Sequence, residues 1–175
     1  AIQEQEFERV GGIKTIQVMS FVNPKLVPGM ADAEAVVAGI KIKPGVSYRG
    51  LWLNAAGFER AKATGRLDLR GGFSVAASET FLKRNQNRTI AQQMADNHAI
   101  IERFKATGVP VERGGVMAAF GCNFEGDIPR EKVVAQVGML LDAAKQHGIT
   151  LKYVMLADTM AWATPLAVKR MLDAV

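Results

Sequence analysis

The chain has 175 residues, of which 49% are apolar and 22% are charged, a composition typical of a globular domain and not of a disordered segment. No apolar run reaches the roughly 18 residues that a membrane-spanning helix needs, so we expect no membrane span. The net charge of +5 would suit an anionic ligand, but the Lys and Arg residues are scattered instead of forming one stripe, which favours a phosphate-bearing small molecule over nucleic acid.

The start of the sequence and its cysteine content favour a cytoplasmic protein. The first six residues are acidic and polar, unlike the basic and then apolar start of a secretory signal. The single cysteine, Cys122, cannot form an internal disulfide, which is compatible with a reducing compartment. We interpret Cys122 as a buried small residue and not as a nucleophile, because no histidine is close to it in sequence.

Apolar, β-branched runs alternate with helical patterns along the chain. The first pattern is a strand at 13–19, followed by a loop with two Pro-containing turns and a helix at 31–40. The other predicted strands are 46–53, 66–77, 109–120 and 149–156, and the other predicted helices are 55–64, 89–108, 129–148 and 164–175. This alternation predicts an α/β fold with a parallel sheet.

Local signals mark several ends of these elements. Thr89 and Gln92 have the spacing of a capping box at the start of a helix. Pro129 suits the first turn of the next helix, and Thr164 suits the N-cap of the last. The pair Gly71-Gly72 within the third strand suggests a bulge or a close backbone approach.

Small polar residues recur where the predicted strands end. They are found at Gln17–Ser20, Asn54, Ser78–Thr80, Cys122–Glu125 and Asp158-Thr159. The carboxyl ends of parallel strands are where α/β folds place their chemistry. The pattern therefore predicts an active site at that edge of the sheet.

These strand ends also form longer motifs. They are Ser20-Phe21-Val22-Asn23-Pro24-Lys25-Leu26-Val27-Pro28-Gly29-Met30-Ala31-Asp32, Ala76-Ala77-Ser78-Glu79-Thr80-Phe81, Gly121-Cys122 with Phe124-Glu125-Gly126, and Leu156-Ala157-Asp158-Thr159 with Thr164-Pro165. In this order and spacing they resemble the hydroxymethylglutaryl-CoA lyase family, a set of metal-dependent TIM barrels related to isopropylmalate synthases. The resemblance covers about residues 12–175 and is far more specific than a single glycine motif.

The resemblance implies a (β/α)8 TIM barrel of which this sequence holds about strands two to six, so we expect residues 1–175 to form a single, partial catalytic domain. It also implies a carbon–carbon lyase of the oxo-acid-lyase type. Such an enzyme cleaves a 3-hydroxyacyl-CoA to acetyl-CoA and a keto acid in a retro-Claisen reaction that uses a divalent metal, Mg²⁺ or Mn²⁺. The implied partners are an acyl-CoA substrate and further copies of the protein in a homo-oligomer, without nucleic acid or membrane.

Eight residues are candidates for the site. The candidate catalytic residues are Gln17, Asp158 and Thr159, and the candidate substrate-binding residues are Gln3, Ser20, Asn54, Ser78 and Glu79. Gln3 matches the tail of the family's first-strand motif, and the others lie at or near the ends of predicted strands. No metal ligand is assigned, because the family's two metal-binding histidines and its asparagine are expected beyond the last residue of this sequence.

Several candidates also have a purely structural interpretation. A carboxylate after an apolar strand favours a pocket role for Asp158 over a plain helix cap, since an unpaired buried carboxylate is costly. Asn54 is explained equally well as a substrate ligand and as the N-cap of the following helix. Gln17 and Ser20 are equally compatible with pocket lining and with local loop hydrogen bonds. Glu79 either lines the mouth of the site or pairs with a lysine four residues later.

Three matched positions depart from the family's pattern. Gln17 stands where the lyases have a glutamate, Gly115 aligns with a tyrosine and Met155 aligns with a serine. Gln carries no negative charge, and Met hydrogen-bonds a hydroxyl poorly. The alternatives are a related acyl-CoA lyase or condensing enzyme with a different substrate, and a non-catalytic half-barrel that binds a partner or an acyl-CoA.

Overall fold

The computed structural model describes residues 12–175. The chain divides into two compact units, an N-terminal unit, Ala1–Arg70, and a C-terminal unit, Gly71–Val175. Strands alternate with helices in both units, and every pair of neighbouring strands is parallel. The predicted α/β class with parallel strands is confirmed. No helix in the part of the chain that the structure describes is long and apolar enough to cross a membrane.

Within residues 12–70, the N-terminal unit contains a two-stranded parallel sheet and two short α-helices. In chain order they are β1 (Thr15–Ser20), a 3₁₀ turn (Pro28–Met30), α1 (Ala33–Gly39), β2 (Ser47–Leu51) and α2 (Ala55–Ala63). Ile16 and Val18 of β1 are buried and alternate with the exposed Gln17, because successive strand side chains point to opposite faces. The apolar face packs with Val37 of α1 and Ala61 of α2.

The segment after α2 binds the end of α1 instead of continuing as a strand. Arg66 donates from Nε to the Val37 carbonyl at 3.0 Å and from Nη2 to the Ile40 carbonyl at 2.5 Å. Carbonyls at the C-terminal end of a helix lack partners within the helix, and a guanidinium satisfies them well. The strand that we predicted to start at residue 66 therefore starts only at Gly71.

The C-terminal unit contains a three-stranded parallel sheet in the order β3-β4-β5. Its elements are β3 (Gly71–Ala76), α3 (Glu79–Gln86), α4 (Ile90–Ala106), β4 (Val111–Met117), α5 (Arg130–Gln146), β5 (Tyr153–Leu156) and α6 (Pro165–Leu172). One face of the sheet packs on α4 and α5. The core between them includes Val75 and Val116 from the strands and Ile101 and Leu140 from the helices.

The two glycines at the start of β3 permit the close approach that the sequence suggested. A Cβ atom at Gly71 would lie 2.7 Å from a ring carbon of Phe104 on α4, closer than carbon atoms pack. The pairing of β3 with β4 also shifts register between Gly71 and Gly72, so a bulge is present as well. Glycine at position 71 thus allows the strand to pass directly against the helix.

Most predicted helix ends are confirmed. Thr89 and Gln92 form the capping box of α4, and Thr164 caps α6 by accepting the Ala167 N–H at 3.2 Å. Two details were wrong: Pro129 is the N-cap of α5 and lies before its first residue, and α6 ends at Leu172 and not at the final residue.

Two helices, α3 and α4, follow β3, and the sequence predicted only the second. Asn87 adopts a left-handed conformation, with φ of 51°, and ends α3. Asparagine tolerates this conformation better than most residues. The chain therefore turns before the capping box of Thr89 starts the longer helix α4.

Candidate active site at the carboxyl ends of the strands

Ser78, just after β3, is the centre of a buried hydrogen-bonded cluster. Its Oγ accepts the backbone N–H of Phe81 at 3.0 Å, which makes it the N-cap of α3. The Cys122 thiol donates to the same oxygen, with Sγ 3.0 Å from Oγ. Ser78 and Cys122 are both fully buried, which confirms the interpretation of Cys122 as a buried residue. The cluster joins the start of α3 to the loop after β4.

Glu125 continues this cluster at the surface. Its carboxylate accepts the backbone N–H of Thr80 at 2.7 Å. Slight burial raises the pKa of this carboxyl. Hydrogen bonds from the Thr80 backbone and from the hydroxyls of Thr80 and Ser78, together with the charge of Lys132, outweigh burial and lower the pKa below 4.5. Thr80 and Glu125 were not candidate residues, although both belong to the matched motifs.

The carboxylate of Asp158, just after β5, binds its own loop. Oδ1 accepts the backbone N–H of Trp162 at 2.8 Å, and Oδ2 accepts that of Ala163 at 3.1 Å. Beside it, Thr159 Oγ1 accepts the Ala118 N–H at 2.8 Å and so joins the ends of β4 and β5. Asp158 and Thr159 are both exposed at this edge of the sheet. Asp158 therefore fixes the loop between β5 and α6, and the catalytic roles of both residues stay predictions.

The loops that follow β4 and β5 contact each other in a way that the sequence did not predict. The indole Nε1–H of Trp162 donates to Asn123 Oδ1 at 2.7 Å, and the backbone N–H of Asn123 donates to the sulfur of Met160 at 3.0 Å. Trp162 and Asn123 are 39 residues apart, so no local pattern connects them. The only available signal was that both lie close after a predicted strand.

The α3 candidates lie at its first turn. Glu79 is exposed there, where its negative charge favours the positive end of the helix. In the last turn of the same helix, the Arg84 guanidinium lies 4.4 Å from the centroid of the Phe124 ring. Substrate binding by Ser78 and Glu79 stays a prediction.

The N-terminal unit holds three further candidates at or near the ends of β1 and β2. Gln17 is exposed on β1, and Ser20 is the partly buried last residue of that strand. Asn54 is the N-cap of α2, since its Oδ1 accepts the Gly57 N–H at 2.9 Å. This confirms the capping interpretation of Asn54, while its substrate-binding role stays a prediction. Gln3 lies outside the described residues.

Two of the positions that depart from the family's pattern are neighbours in the sheet. Gly115 of β4 pairs in register with Met155 of β5 and with Ser74 of β3. A Cβ at Gly115 would lie 3.6 Å from Cε of Met155, an ordinary contact distance. Because Val154 and Leu156 pack into the helix-covered core, Met155 lies on the opposite face of the sheet.

Metal-ligating residues do not cluster in the described chain. Within residues 12–175, no group of three or more His, Cys, Asp or Glu side chains could hold a metal ion. The two histidines contact each other, with His98 Nδ1 2.8 Å from His147 Nε2, and His147 Nδ1 lies 2.5 Å from Glu102 Oε1. The described residues therefore do not fit the divalent metal that the resemblance implies, and we derive no chemical step through it.

Comparison with known proteins gives one consistent family, although no family model matches the chain. The chain is 36% identical over 164 residues to the cytoplasmic 3-hydroxy-3-methylglutaryl-CoA lyase of Mus musculus, an alignment that covers 94% of this chain and 45% of that protein. The crystal structure of hydroxymethylglutaryl-CoA lyase from Pseudomonas aeruginosa is 33% identical, with a TM-score of 0.82 over 99% of this chain and 55% of that one.

A third similar protein was solved with ligands. It is a lyase of this family from Acinetobacter baumannii in complex with coenzyme A and 3-methylmalate, 30% identical, with a TM-score of 0.77 over 96% of this chain and 52% of that one. The chain thus spans about half the length of the relatives that it matches. Its strand-end motifs, its parallel α/β architecture and these similarities show that it belongs to the hydroxymethylglutaryl-CoA lyase family and has the fold of part of that TIM barrel.

Proposed function

We propose that the protein is a carbon–carbon lyase that cleaves hydroxymethylglutaryl-CoA to acetyl-CoA and a keto acid. The observation that carries this proposal is the similarity to lyases of that name over 94% of the chain. A relative that binds coenzyme A supports an acyl-CoA as the substrate. Because the chain matches about half of each relative, the activity is proposed for the whole protein.

Asp158 and Thr159 contribute to the proposed reaction by holding loops in place. In the reaction a base removes the hydroxyl proton, the carbon–carbon bond breaks, and its electron pair passes to the thioester carbonyl as an enolate that is then protonated. Asp158 and Thr159 hold the loops after β4 and β5 in fixed positions through backbone N–H groups. A fixed loop of this kind supports substrate orientation, which contributes to catalysis without proton transfer.

Four finer parts of the proposal rest on the sequence pattern and on the resemblance. They are a requirement for Mg²⁺ or Mn²⁺, whose ligands would have to lie outside residues 12–175, a homo-oligomeric state, the absence of nucleic-acid and membrane partners, and a cytoplasmic location. One similar lyase is described as cytoplasmic, and others are described as mitochondrial. The location therefore needs its own measurement, for example fractionation of cells that express the protein.

Acetyl-CoA release by the complete protein tests the proposed activity. We expect turnover of hydroxymethylglutaryl-CoA in the presence of Mg²⁺ or Mn²⁺. In Asp158→Asn only one side-chain oxygen can accept the two loop N–H groups, so we expect kcat to fall by about tenfold or more. Asp142→Asn, on the exposed side of α5, is the matched control and should leave kcat unchanged.

If no 3-hydroxyacyl-CoA yields acetyl-CoA under these conditions, the proposed lyase activity is wrong. Binding of an acyl-CoA without turnover would then support the non-catalytic half-barrel.

A different 3-hydroxyacyl substrate is the second candidate. It is favoured by the row of Ser74, Gly115 and Met155 across the sheet, where a flexible apolar side chain lies beside a glycine. Methionine there presents an apolar surface and no hydroxyl. A panel of 3-hydroxyacyl-CoA substrates decides between the two, and a strong preference for hydroxymethylglutaryl-CoA would eliminate the second.

A further inference from the structure

Trp162 is held in place by contacts from two different loops. Its backbone N–H binds Asp158 Oδ1 at 2.8 Å, and its indole N–H binds Asn123 Oδ1 at 2.7 Å. Its ring lies directly on Gly121, where an added Cβ would come within 2.4 Å of the indole carbon Cδ2. Only glycine at position 121 leaves room for the ring, so the position of the indole depends on both loops.

The backbone before Trp162 is also specialised. Ala161 has a φ of 59°, in the left-handed region that non-glycine residues seldom adopt. Such a conformation costs free energy and persists only where surrounding contacts enforce it. The two hydrogen bonds that the Asp158 carboxylate accepts from the backbone N–H groups of Trp162 and Ala163 supply these contacts.

The anchored indole is not part of the hydrophobic core. It remains 38% exposed, and its polar N–H group already has a partner, so what it presents is the apolar ring. It lies at the carboxyl ends of β4 and β5, four residues after the candidate residue Asp158. A rigid aromatic ring of this kind binds apolar groups with little loss of side-chain entropy.

From this geometry we infer that Trp162 is a specificity-determining residue whose ring forms an apolar wall against the acyl part of the substrate. The inference rests on the proposed acyl-CoA lyase function. Gly121 and Asn123 are positioning residues, because each contacts the indole and would act on the substrate through it. The wall limits the size of the acyl group that fits between the reacting carbons and the loop after β5.

Kinetics with 3-hydroxyacyl-CoA substrates of increasing acyl size test this inference on the complete protein. The quantity compared is the ratio of kcat/KM for a substrate one or two methylenes larger to kcat/KM for hydroxymethylglutaryl-CoA. We expect Trp162→Ala to raise this ratio about tenfold, because an apolar pocket discriminates one methylene on that scale. Trp162→Phe, which keeps a ring, should shift this ratio much less. Tyr153→Phe, at the amino-terminal end of β5 and so at the opposite edge of the same sheet, is the control and should leave the ratio unchanged.

Gly121→Ala provides an independent variant that leaves Trp162 in the chain. Its Cβ displaces the indole, so it should shift the same ratio in the same direction as Trp162→Ala, with circular dichroism confirming that each variant is folded. Folded Trp162→Ala and Gly121→Ala proteins with the wild-type ratio would overturn the inference.

A binding measurement separates failure of this inference from failure of the proposed function. Calorimetric titration compares acetyl-CoA with free CoA. If the wild type turns over no substrate, the lyase proposal fails, and the wall is then judged by binding alone. A selective loss of about tenfold in acetyl-CoA affinity for Trp162→Ala supports the wall, and an equal loss for both ligands or no loss overturns it.

Discussion

The hydroxyl of Ser78 forms hydrogen bonds with three neighbours. It accepts the Phe81 N–H and the Cys122 thiol, and it hydrogen-bonds the Glu125 carboxylate. Ser78→Ala should therefore lower the free energy of unfolding by about 2 kcal/mol, the upper part of the range for losing an N-cap. Thr164→Ala removes a cap whose hydroxyl accepts only the Ala167 N–H among the described residues, and we expect a loss of about 1 kcal/mol.

Urea unfolding of both variants beside the wild type measures the difference. An equal loss for Ser78→Ala and Thr164→Ala would show that the buried cluster adds nothing beyond the cap.

Glu125 makes the stability of the fold depend on pH. Hydrogen bonds from Thr80 and Ser78 lower its pKa in the folded protein below the value of 4.5 that applies in the unfolded chain. The carboxylate therefore stabilises the fold above about pH 4.5, and this contribution is lost as the pH falls through the lower folded pKa. Because Glu125→Gln lacks the carboxylate, the stability difference between wild type and variant should shrink between about pH 5 and pH 3.

Denaturation at several pH values checks this. Glu131→Gln, which removes a carboxylate from the first turn of α5, controls for the change in net charge. A wild-type advantage that stays constant from pH 5 to pH 3 would contradict the assignment.

At the scale of elements, amide side chains bind the backbone of β3, an edge strand of its sheet. Gln93 Oε1 accepts the Ala76 N–H at 3.1 Å, Gln136 Nε2 donates to the Ala76 carbonyl at 2.8 Å, and Asn97 Nδ2 donates to the Ser74 carbonyl at 2.8 Å. Buried backbone groups without partners are costly, and an unprotected strand edge invites pairing with another chain. These helix side chains thus satisfy backbone groups on the side of β3 that no strand pairs in the described sheet.

Gln136→Leu tests this role. It leaves the Ala76 carbonyl without its donor, which costs about 1–3 kcal/mol. It also removes the buried Gln136 Oε1, which has no hydrogen-bond partner among the described residues, so the net loss should be near 1 kcal/mol. Gln146→Leu, at the exposed end of α5, is the control. Thermal unfolding that is unchanged in Gln136→Leu would show that water or another group replaces the donor.

The elements that sequence predicted well are those with local signals. The Thr89 capping box and the Thr164 cap depend on residues three positions apart, and both are present. The start of β3 depends instead on Arg66 reaching the carbonyls of α1, a contact across 26 to 29 residues. A periodic pattern contains no information about such a partner, so the predicted strand was too long.

At the scale of the whole molecule, the family and the strand-end location of the polar residues were predictable from sequence. The order and spacing of the motifs are properties of the sequence itself and need no structure. The partners of those residues were not predictable. The bond of Thr159 to the Ala118 N–H, the thiol contact of Ser78 and the packing of Trp162 on Gly121 all join segments that are far apart in the sequence. The candidate site is therefore more extensively hydrogen-bonded to its own loops than its sequence indicated.

The two units differ in strand number and helix length, and this difference predicts unequal protection of their amides against hydrogen exchange. Within residues 12–70, the N-terminal unit has a two-stranded sheet with helices of 7 and 9 residues, whereas the C-terminal unit has three strands and two helices of 17 residues over one core. Two-stranded sheets are marginally stable, and exchange follows the free energy of local opening. We expect amides of β1 and β2 to exchange at least about tenfold faster than those of β4 and α5, which corresponds to about 1.4 kcal/mol.

Exchange followed by mass spectrometry at peptide resolution measures this directly. Leu140→Ala, which removes a fully buried side chain of α5, should cost about 2–5 kcal/mol and speed exchange in β4 and α5. Leu172→Ala, at a largely exposed position of α6, should leave exchange in β4 and α5 unchanged. Equal exchange rates in β1, β2, β4 and α5 of the wild type would contradict the expected order, because they would mean that the smaller sheet opens as rarely as the larger core.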